Sequence, residues 1–389
     1  MHDLIRRQLE PIILQHLGVF PAVAILGPRQ CGKSTLVKML AENMNQFVYL
    51  DLQDYGDLNK LTDPNLFFEA NREAVICLDE VQMVPHLFPI LRSAIDKNRR
   101  NGQFIILGSA SQALIQKSSE SLAGRIGLTE LSPFLINEVN NEPGYSLQRF
   151  WFRGGFPESY LGQTDSGSML WLENFIRTYI ERDIPQLGFQ IPALQLRRLL
   201  LMCAHNQGAL LNASKLGESL GLTHPTVRRY IDLLEQTYIL RTLQPYESNL
   251  KKRLVKSPKV YVRDTGILHR LLLISDFNSL MGNPVFGASW EALVIENCIE
   301  NMPGWTPCFY RTASGNEIDL ILIRGNRKIA IECKASAAPQ LTKGNWGALT
   351  DLNPDHTIII APITGSAYQL NNNVLVARLE EAVNRLKNM

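Results

Sequence analysis

The sequence predicts an α/β protein, and three observations carry that prediction. The run PAVAILG (21–27) opens the spacing G-x-x-x-x-G-K-S and leads into TLVKMLAEN, which has helical periodicity. The runs AVICLDE (74–80) and QFIILGS (103–109) hold short apolar stretches that read as buried strands, each ending in acidic or small polar residues. The stretch EIDLILIRGNRKIAIECK (317–334) reads as a β-hairpin turning at Gly325 and Asn326.

Bulk properties narrow the field before any motif is weighed. A chain of 389 residues has room for two to four domains. Its formal net charge is +2, so an argument for nucleic acid must come from local clusters of basic residues. The opening MHDLIRRQLE is amphipathic without an apolar signal core, and apolar runs such as TIIIAPI (357–363) are strand-sized, far below the roughly 20 residues of a membrane helix. No membrane partner is expected. The six cysteines show no C-x-x-C pair and no histidines at metal spacing, which predicts reduced, buried thiols and a cytoplasmic protein.

The first 130 residues carry the strongest chemistry. A loop that wraps phosphate must point backbone N–H groups inward, and Gly27 and Gly32 supply the unusual dihedrals this requires. The helix that follows favours negative charge at its N-terminus. Gly27, Pro28, Arg29, Gln30, Cys31, Gly32, Lys33, Ser34 and Thr35 are therefore expected to bind ATP. Lys33 would reach the β- and γ-phosphates, and Ser34 would bind Mg2+. Asp79 and Glu80 follow the second buried strand at its C-terminal end, where open α/β sheets bind ligands. Asp79 is expected to hold Mg2+ through water, and Glu80 to polarise the attacking water. Ser109, closing the third strand, is placed to feel the γ-phosphate.

In this order, the strand, the phosphate loop, the acidic pair and the polar strand end resemble the AAA-plus ATPases. Arg125, in LAGR, matches the position at which those proteins often carry an arginine that completes a neighbouring subunit's site. A serine stands at position 109, where the family commonly has asparagine.

Residues 140–199 read as helical, with a tight connection at Gly154, Gly155 and Pro157; Arg153 is read as a second sensor of nucleotide and Arg182 as a partner of Asp183 or of a neighbouring subunit, with an ordinary packing or salt-bridge role as the alternative for each. Residues 212–240 have helix-turn-helix spacing. Ser214 is read as capping a first helix that Gly221 ends, and Thr223 as capping a second, HPTVRRYIDLLEQ. Val227, Ile231 and Leu234 form its inner stripe, leaving Thr226, Arg228 and Arg229 outside. The strand after it implies a winged helix. Between 241 and 263, Arg241, Lys251, Lys252, Arg253, Lys256, Lys259 and Arg263 face one acid, Glu247, and such a stripe is expected to attract DNA phosphates. Winged helices also serve as protein-binding modules, which keeps a second partner class open.

In FGASWEALVIENCIE (286–300), Glu291 lines up with Val294, Ile295 and Cys298 at the edge of an apolar helix face, with Glu296 as a competing acid. Asp319 interrupts an apolar strand, and period two puts Glu332 and Lys334 on one face of the next. A carboxylate on one strand and E-x-K on its neighbour resembles the PD-(D/E)xK nuclease superfamily. The resemblance implies that Asp319 and Glu332 hold Mg2+, that Lys334 orients water, and that Glu291 is the helix acid. A salt-bridge cluster in a nuclease-like fold without activity is the alternative.

The whole order resembles a widespread prokaryotic family of AAA-plus ATPases. It implies a P-loop AAA-plus core at 1–139, a helical lid at 140–199, a winged-helix domain at 200–279 and a restriction-endonuclease-like α/β domain at 280–389, assembled as a homo-oligomeric ring. The function expected is ATP hydrolysis by a protein acting on DNA, with a Mg2+-dependent nuclease at the C-terminal end. The rivals are an ATP-driven signalling or assembly protein and a non-cleaving DNA-binding regulator.

Overall fold

In the computed structural model, residues 4–109, 122–246, 254–371 and 373–389 are described. They form two compact units. The first comprises residues up to Phe134 together with Gln236–Tyr238, and the second Leu135–Glu235 and Ile239–Met389. The first division falls five residues before the expected 139/140 boundary, and those expected at 199/200 and 279/280 lie inside the second unit.

The first unit is built on five parallel strands. These are β1 (Ala22–Leu26), β2 (Phe47–Asp51), β3 (Val75–Asp79), β4 (Phe104–Gly108) and β5 (Ile126–Glu130), in the spatial order β2-β3-β4-β1-β5. The apolar runs of the sequence reflect cover on both faces. Ala22, Ala24, Leu26, Ile76, Leu78 and Ile106 pack on one side with Leu87, Leu91 and Ile95 of helix α3 (Leu87–Lys97). Val23, Ile25, Cys77, Ile105 and Leu107 pack on the other with Ile13 of α1 (Glu10–Val19) and Leu36, Val37 and Leu40 of α2 (Lys33–Ala41). Each fully buried valine, leucine or isoleucine among these contributes about 1.5–3 kcal/mol. The sheet is thus a firm base for the loops at its C-terminal edge.

The second unit begins with helices, among them α4 (Asp165–Thr178) and α5 (Ala193–His205). Then come α6 (Ala213–Leu220), α7 (His224–Gln236) and an antiparallel hairpin of β6 (Leu240–Leu243) and β7 (Lys259–Val262). The cap of α6 differs from the sequence reading. Asn212, not Ser214, accepts from Lys215 N, because the helix starts one residue earlier than Ser214 and places that serine inside its first turn. Gly221 ends α6 with φ 66°, and Thr223 Oγ1 accepts from Thr226 N at 3.4 Å as α7 begins. Val227, Ile231 and Leu234 are fully buried, while Arg228 and Arg229 are exposed.

After α8 (Thr265–Leu271), α9 (Phe286–Glu300) covers a six-stranded mixed sheet in the order β12-β13-β11-β10-β9-β8. Its strands are β8 (Thr306–Arg311), β9 (Glu317–Arg324), β10 (Arg327–Cys333), β11 (His356–Ile360), β12 (Tyr368–Asn371) and β13 (Val374–Ala377). β9 and β10 form the expected hairpin through Gly325, whose φ of 60° suits the two-residue turn. Trp290 of α9 is fully buried and donates its indole N–H to Ile360 O at 3.1 Å, tying helix to sheet. Helices α10 (Lys343–Leu352) and α11 (Leu379–Lys387) complete the unit. Among the described residues no helix is long and apolar enough to cross a membrane.

Candidate functional site

The phosphate-type loop runs from the end of β1 into α2, at the edge where β1, β3 and β4 all terminate. Gly27 (φ 152°) passes so close to the strand-end segment that a Cβ there would lie 2.1 Å from Leu131 O. Gly32 (φ 98°) is the N-cap of α2. Both glycines are therefore conformational requirements. Gln30 also has positive φ, and Cys31 is buried with Sγ 3.3 Å from Leu131 O. Lys33 donates from Nζ to Gly27 O at 3.0 Å and to Pro28 O at 2.8 Å, so its ammonium lies across the mouth of its own loop.

Two of the expected residues, Ser34 and Glu80, converge on the carboxylate of a third, Asp79. Ser34 Oγ donates to Asp79 Oδ2 at 2.6 Å, and Glu80 N donates to Asp79 Oδ1 at 2.9 Å. Tyr49 on β2, which sequence reasoning passed over, also donates its hydroxyl to Asp79 Oδ2. Burial pushes the Tyr49 phenol well up, and its bond to Asp79 adds to the rise. Tyr49 thus remains a donor at all physiological pH. Only period-two alternation within FVYLD hinted that its side chain would share a face of β2 with Asp51.

Glu80 sits at φ 55°, ψ 44°, a left-handed conformation costly for a residue with a side chain. The strain turns its carboxylate toward β4. Glu80 Oε2 accepts from Ser109 Oγ at 3.1 Å and from Gln82 Nε2, while Gln82 Nε2 also donates to Ser109 Oγ at 2.9 Å. Arg29 Nε approaches Glu80 Oε1 at 3.7 Å. The arrangement can hold a carboxylate in one orientation beside the phosphate loop. Arg7, also missed in the sequence, braces the loop from behind. Its guanidinium donates to Cys31 O at 2.9 Å and Ser132 O at 2.6 Å and lies over the Phe134 ring.

Arg125 stands apart from this cluster. Its guanidinium forms a two-pronged pair with Asp96 on α3, Nε–Oδ1 2.7 Å and Nη2–Oδ2 3.0 Å. In the second unit Arg153 pairs with Asp165 at 2.6 Å and Arg182 is exposed.

The basic stripe is corrected in part. Arg241 and Arg263 do not present free cations, because both pair with Glu296 and Glu300 of α9 at 2.6–3.1 Å. Lys259 is buried. Sequence distance hid these acids, which follow the stripe by more than thirty residues. Lys256 is exposed, and Lys251, Lys252, Arg253 and Glu247 lie outside the described residues.

The C-terminal acids do come together, around an unexpected partner. Lys259 Nζ lies 3.0 Å from Glu291 Oε1, 2.9 Å from Glu317 Oε1 and 3.5 Å from Asp319 Oδ1. Tyr261, two residues along the same face of β7, donates its hydroxyl to Glu291 Oε1 at 2.5 Å. Asp319 Oδ2 accepts from Cys333 N at 3.0 Å. Lys334 Nζ donates to Glu332 Oε1 at 2.6 Å, as does Asn345 Nδ2 at 2.9 Å, and Glu332 Oε2 is buried with no hydrogen-bond partner among the described residues. Four carboxylates thus face two lysines. Burial and the nearby Asp319 push Glu291 up to about 7 and Glu332 up to about 8, against the pull of Lys259 and Lys334 respectively. For Lys259, burial favours the neutral amine, but Glu291, Asp319 and Glu317 outweigh it and drive its value up. Glu296, the competing helix acid, belongs to the Arg241–Arg263 network instead.

The two expected metal positions differ in fit. Ser34 and Asp79 present oxygens 2.6 Å apart beside the phosphate loop, a set suited to Mg2+ held together with a nucleotide. At Asp319 and Glu332 the donors do not suit a divalent ion, because the Lys259 ammonium stands among Asp319 and its neighbours. Among the described residues no three His, Cys, Asp or Glu side chains are grouped as metal ligands.

Residues 19–140 match the family described as AAA domain. Residues 144–278 and 286–381 match two families described as domains of unknown function, DUF8612 and DUF4143. The uncharacterized proteins Mb2031c of Mycobacterium bovis and Rv2008c of Mycobacterium tuberculosis are each 38% identical over 357 residues, covering 92% of this chain and 80% of theirs. An uncharacterized protein of Haemophilus influenzae is 22% identical over 273 residues, 62% of this chain and 67% of that one. Among solved structures, a Walker-type ATPase of Pyrococcus abyssi is 15% identical with a TM-score of 0.46, covering 69% of this chain and 96% of its own.

Proposed function

The chain belongs to the same family as the two mycobacterial proteins and carries an AAA domain; from that premise we propose that it binds and hydrolyses ATP and acts on DNA through its C-terminal half. The observation that carries the ATPase reading is the meeting of Lys33, Ser34, Asp79, Glu80 and Ser109 at one edge of the parallel sheet. Lys33 would leave the carbonyls of Gly27 and Pro28 for the phosphates. Ser34 and Asp79 would hold Mg2+, which offsets phosphate charge when bound. Glu80, oriented by Ser109, would accept a hydrogen bond from the attacking water and align it.

Arg125 is proposed to serve a neighbouring copy in a homo-oligomeric ring, leaving Asp96 for that copy's γ-phosphate. The helices α6 and α7 with the β6–β7 hairpin are proposed as a winged helix, with Arg228 and Arg229 at the outer face of α7 as its DNA contacts. The 280–389 segment is proposed as a nuclease-like domain. Of its two fates, the non-cleaving regulator is favoured by one specific observation, the Lys259 ammonium among the acids.

The test is phosphate release with Mg2+, with and without plasmid, single-stranded and branched DNA, alongside a nicking assay. DNA-stimulated hydrolysis that Lys33→Ala abolishes, with intact plasmid, is the expected result. Hydrolysis without any DNA binding at low salt would favour the signalling or assembly reading, and nicking lost in Asp319→Ala would restore the nuclease.

A further inference from the structure

The acid cluster of the second unit already contains a cation supplied by the chain itself. Lys259 opens β7, and its side chain is 3% exposed. Its Nζ lies between a carboxylate of α9, Glu291, and two carboxylates of β9, Glu317 and Asp319, at 3.0, 2.9 and 3.5 Å. The position is held from several sides. β7 pairs with β6 in antiparallel register. Arg241 on β6 and Arg263 just after β7 bind Glu296 and Glu300 of the same helix that carries Glu291. Tyr261 supplies a second donor to Glu291 from the same strand face.

A divalent ion binds carboxylate oxygens at about 2.0–2.6 Å. Oxygens that surround an ammonium within hydrogen-bond range cannot also close on such an ion, and the two like charges would repel at short range. We propose that Lys259 is the resident counter-ion of this cluster, so that the docked β7 strand and a divalent cation are mutually exclusive occupants of it. The ammonium charge is then what keeps the site closed to metal. This rests on the reading of Asp319 as a cation-binding acid of a nuclease-like domain, and it adds the device that controls that site.

Mn2+ titration followed by electron paramagnetic resonance, on the nucleotide-free full-length protein, tests it. Wild type is expected to show no Mn2+ site that depends on Asp319. Lys259→Met should gain one, at least tenfold tighter than any weak binding by wild type, and Lys259→Met with Asp319→Asn should lose it. Lys259→Arg, which keeps the charge, should bind no better than wild type. In thermal melts, Lys259→Met should start lower than wild type and recover on addition of Mn2+. Asp319-dependent Mn2+ binding by wild type would overturn the exclusion while leaving the metal reading of Asp319 standing. Absence of binding in both wild type and a folded Lys259→Met would overturn the proposal by removing the metal reading beneath it. If Lys259→Met does not fold, Lys259→Gln repeats the gain arm with a side chain that still donates a hydrogen bond to the acids.

Discussion

Tyr49 on β2 and Asp79 at the end of β3 share a hydrogen bond across adjacent parallel strands, and the carboxylate that receives it is the one Ser34 also contacts. A donor on a rigid strand limits the rotamers open to Asp79. Tyr49→Phe removes the hydroxyl and keeps the ring, so the fold should tolerate it. A hydrogen bond to a charged group contributes about 1.5–3 kcal/mol. The variant should therefore need about tenfold more Mg2+ for half-maximal ATP hydrolysis, with a smaller change in kcat. An unchanged Mg2+ requirement would make Tyr49 a packing residue only.

Ser109 and Glu80 separate binding from turnover. Lys33→Ala should weaken nucleotide binding, since the ammonium held at the carbonyls of Gly27 and Pro28 is lost. Glu80→Gln should bind ATP normally and hydrolyse it at least a hundredfold more slowly, because an amide is a poor acceptor for the proton of the attacking water. Ser109→Ala should fall between wild type and Glu80→Gln, since Gln82 still holds the carboxylate. Fluorescent-nucleotide binding and phosphate release measured together decide this, and normal turnover by Glu80→Gln would assign the water to another group.

Arg125 has two possible employments that substitution can separate. Its pair with Asp96 lies at the surface, where solvent screens it, so it adds little to stability. Arg125→Ala should bind ATP, hydrolyse it slowly and recover activity when mixed with Lys33→Ala subunits, whose fingers are intact. Asp96→Ala should leave hydrolysis near wild type. Equal losses in both variants would mark the pair as structural, as would full activity of wild type in a strictly monomeric preparation.

The Glu296 network gives a pH signature. Burial alone would raise this carboxyl, but Arg241 and Arg263 outweigh it and bring it from an ordinary 4.5 down to about 2. A carboxyl depressed in the folded state contributes stability that is complete above about 4.5 and lost as pH falls toward 2. Glu296→Gln should lower stability by about 3 kcal/mol at neutral pH, since it leaves two buried guanidinium groups short of a partner. Denaturant midpoints followed from pH 6 to pH 2 should fall less steeply for the variant than for wild type. Parallel curves would show that Glu296 does not carry the acid sensitivity.

DNA affinity should follow the exposed arginines and leave the buried ones aside. Arg228→Ala with Arg229→Ala should weaken binding and reduce the slope of log affinity against log salt by about one to two, with each lost phosphate contact contributing about 0.9. Changing Lys251, Lys252 and Arg253 together should add to this. Arg241→Met and Arg263→Met should act instead on the melting temperature. An unaltered salt slope in the first variant would remove α7 from the interface.

Consecutive residues alone were enough to read off the phosphate loop, its flanking strand and helix, the acidic pair at 79–80 and the β9–β10 hairpin. Each of these is local: glycine dihedrals, a helix N-terminus, a run buried on both faces, a two-residue turn. Asp319, Glu332 and Lys334 were likewise visible, because an acid within an apolar strand breaks a short-range pattern. Only tertiary structure decided what the charges do. Lys259 meets Glu291 from 32 residues away, and Arg241 meets Glu296 from 55. No periodicity links such positions, so a stripe that looked free for phosphates proved partly neutralised from within. Tyr49 and Asp79 were joined the same way, by parallel strands whose pairing is set by the crossover helices and not by any spacing along the chain. Local backbone chemistry is written in consecutive residues, whereas the partner of a buried charge is whichever group the packing brings within reach.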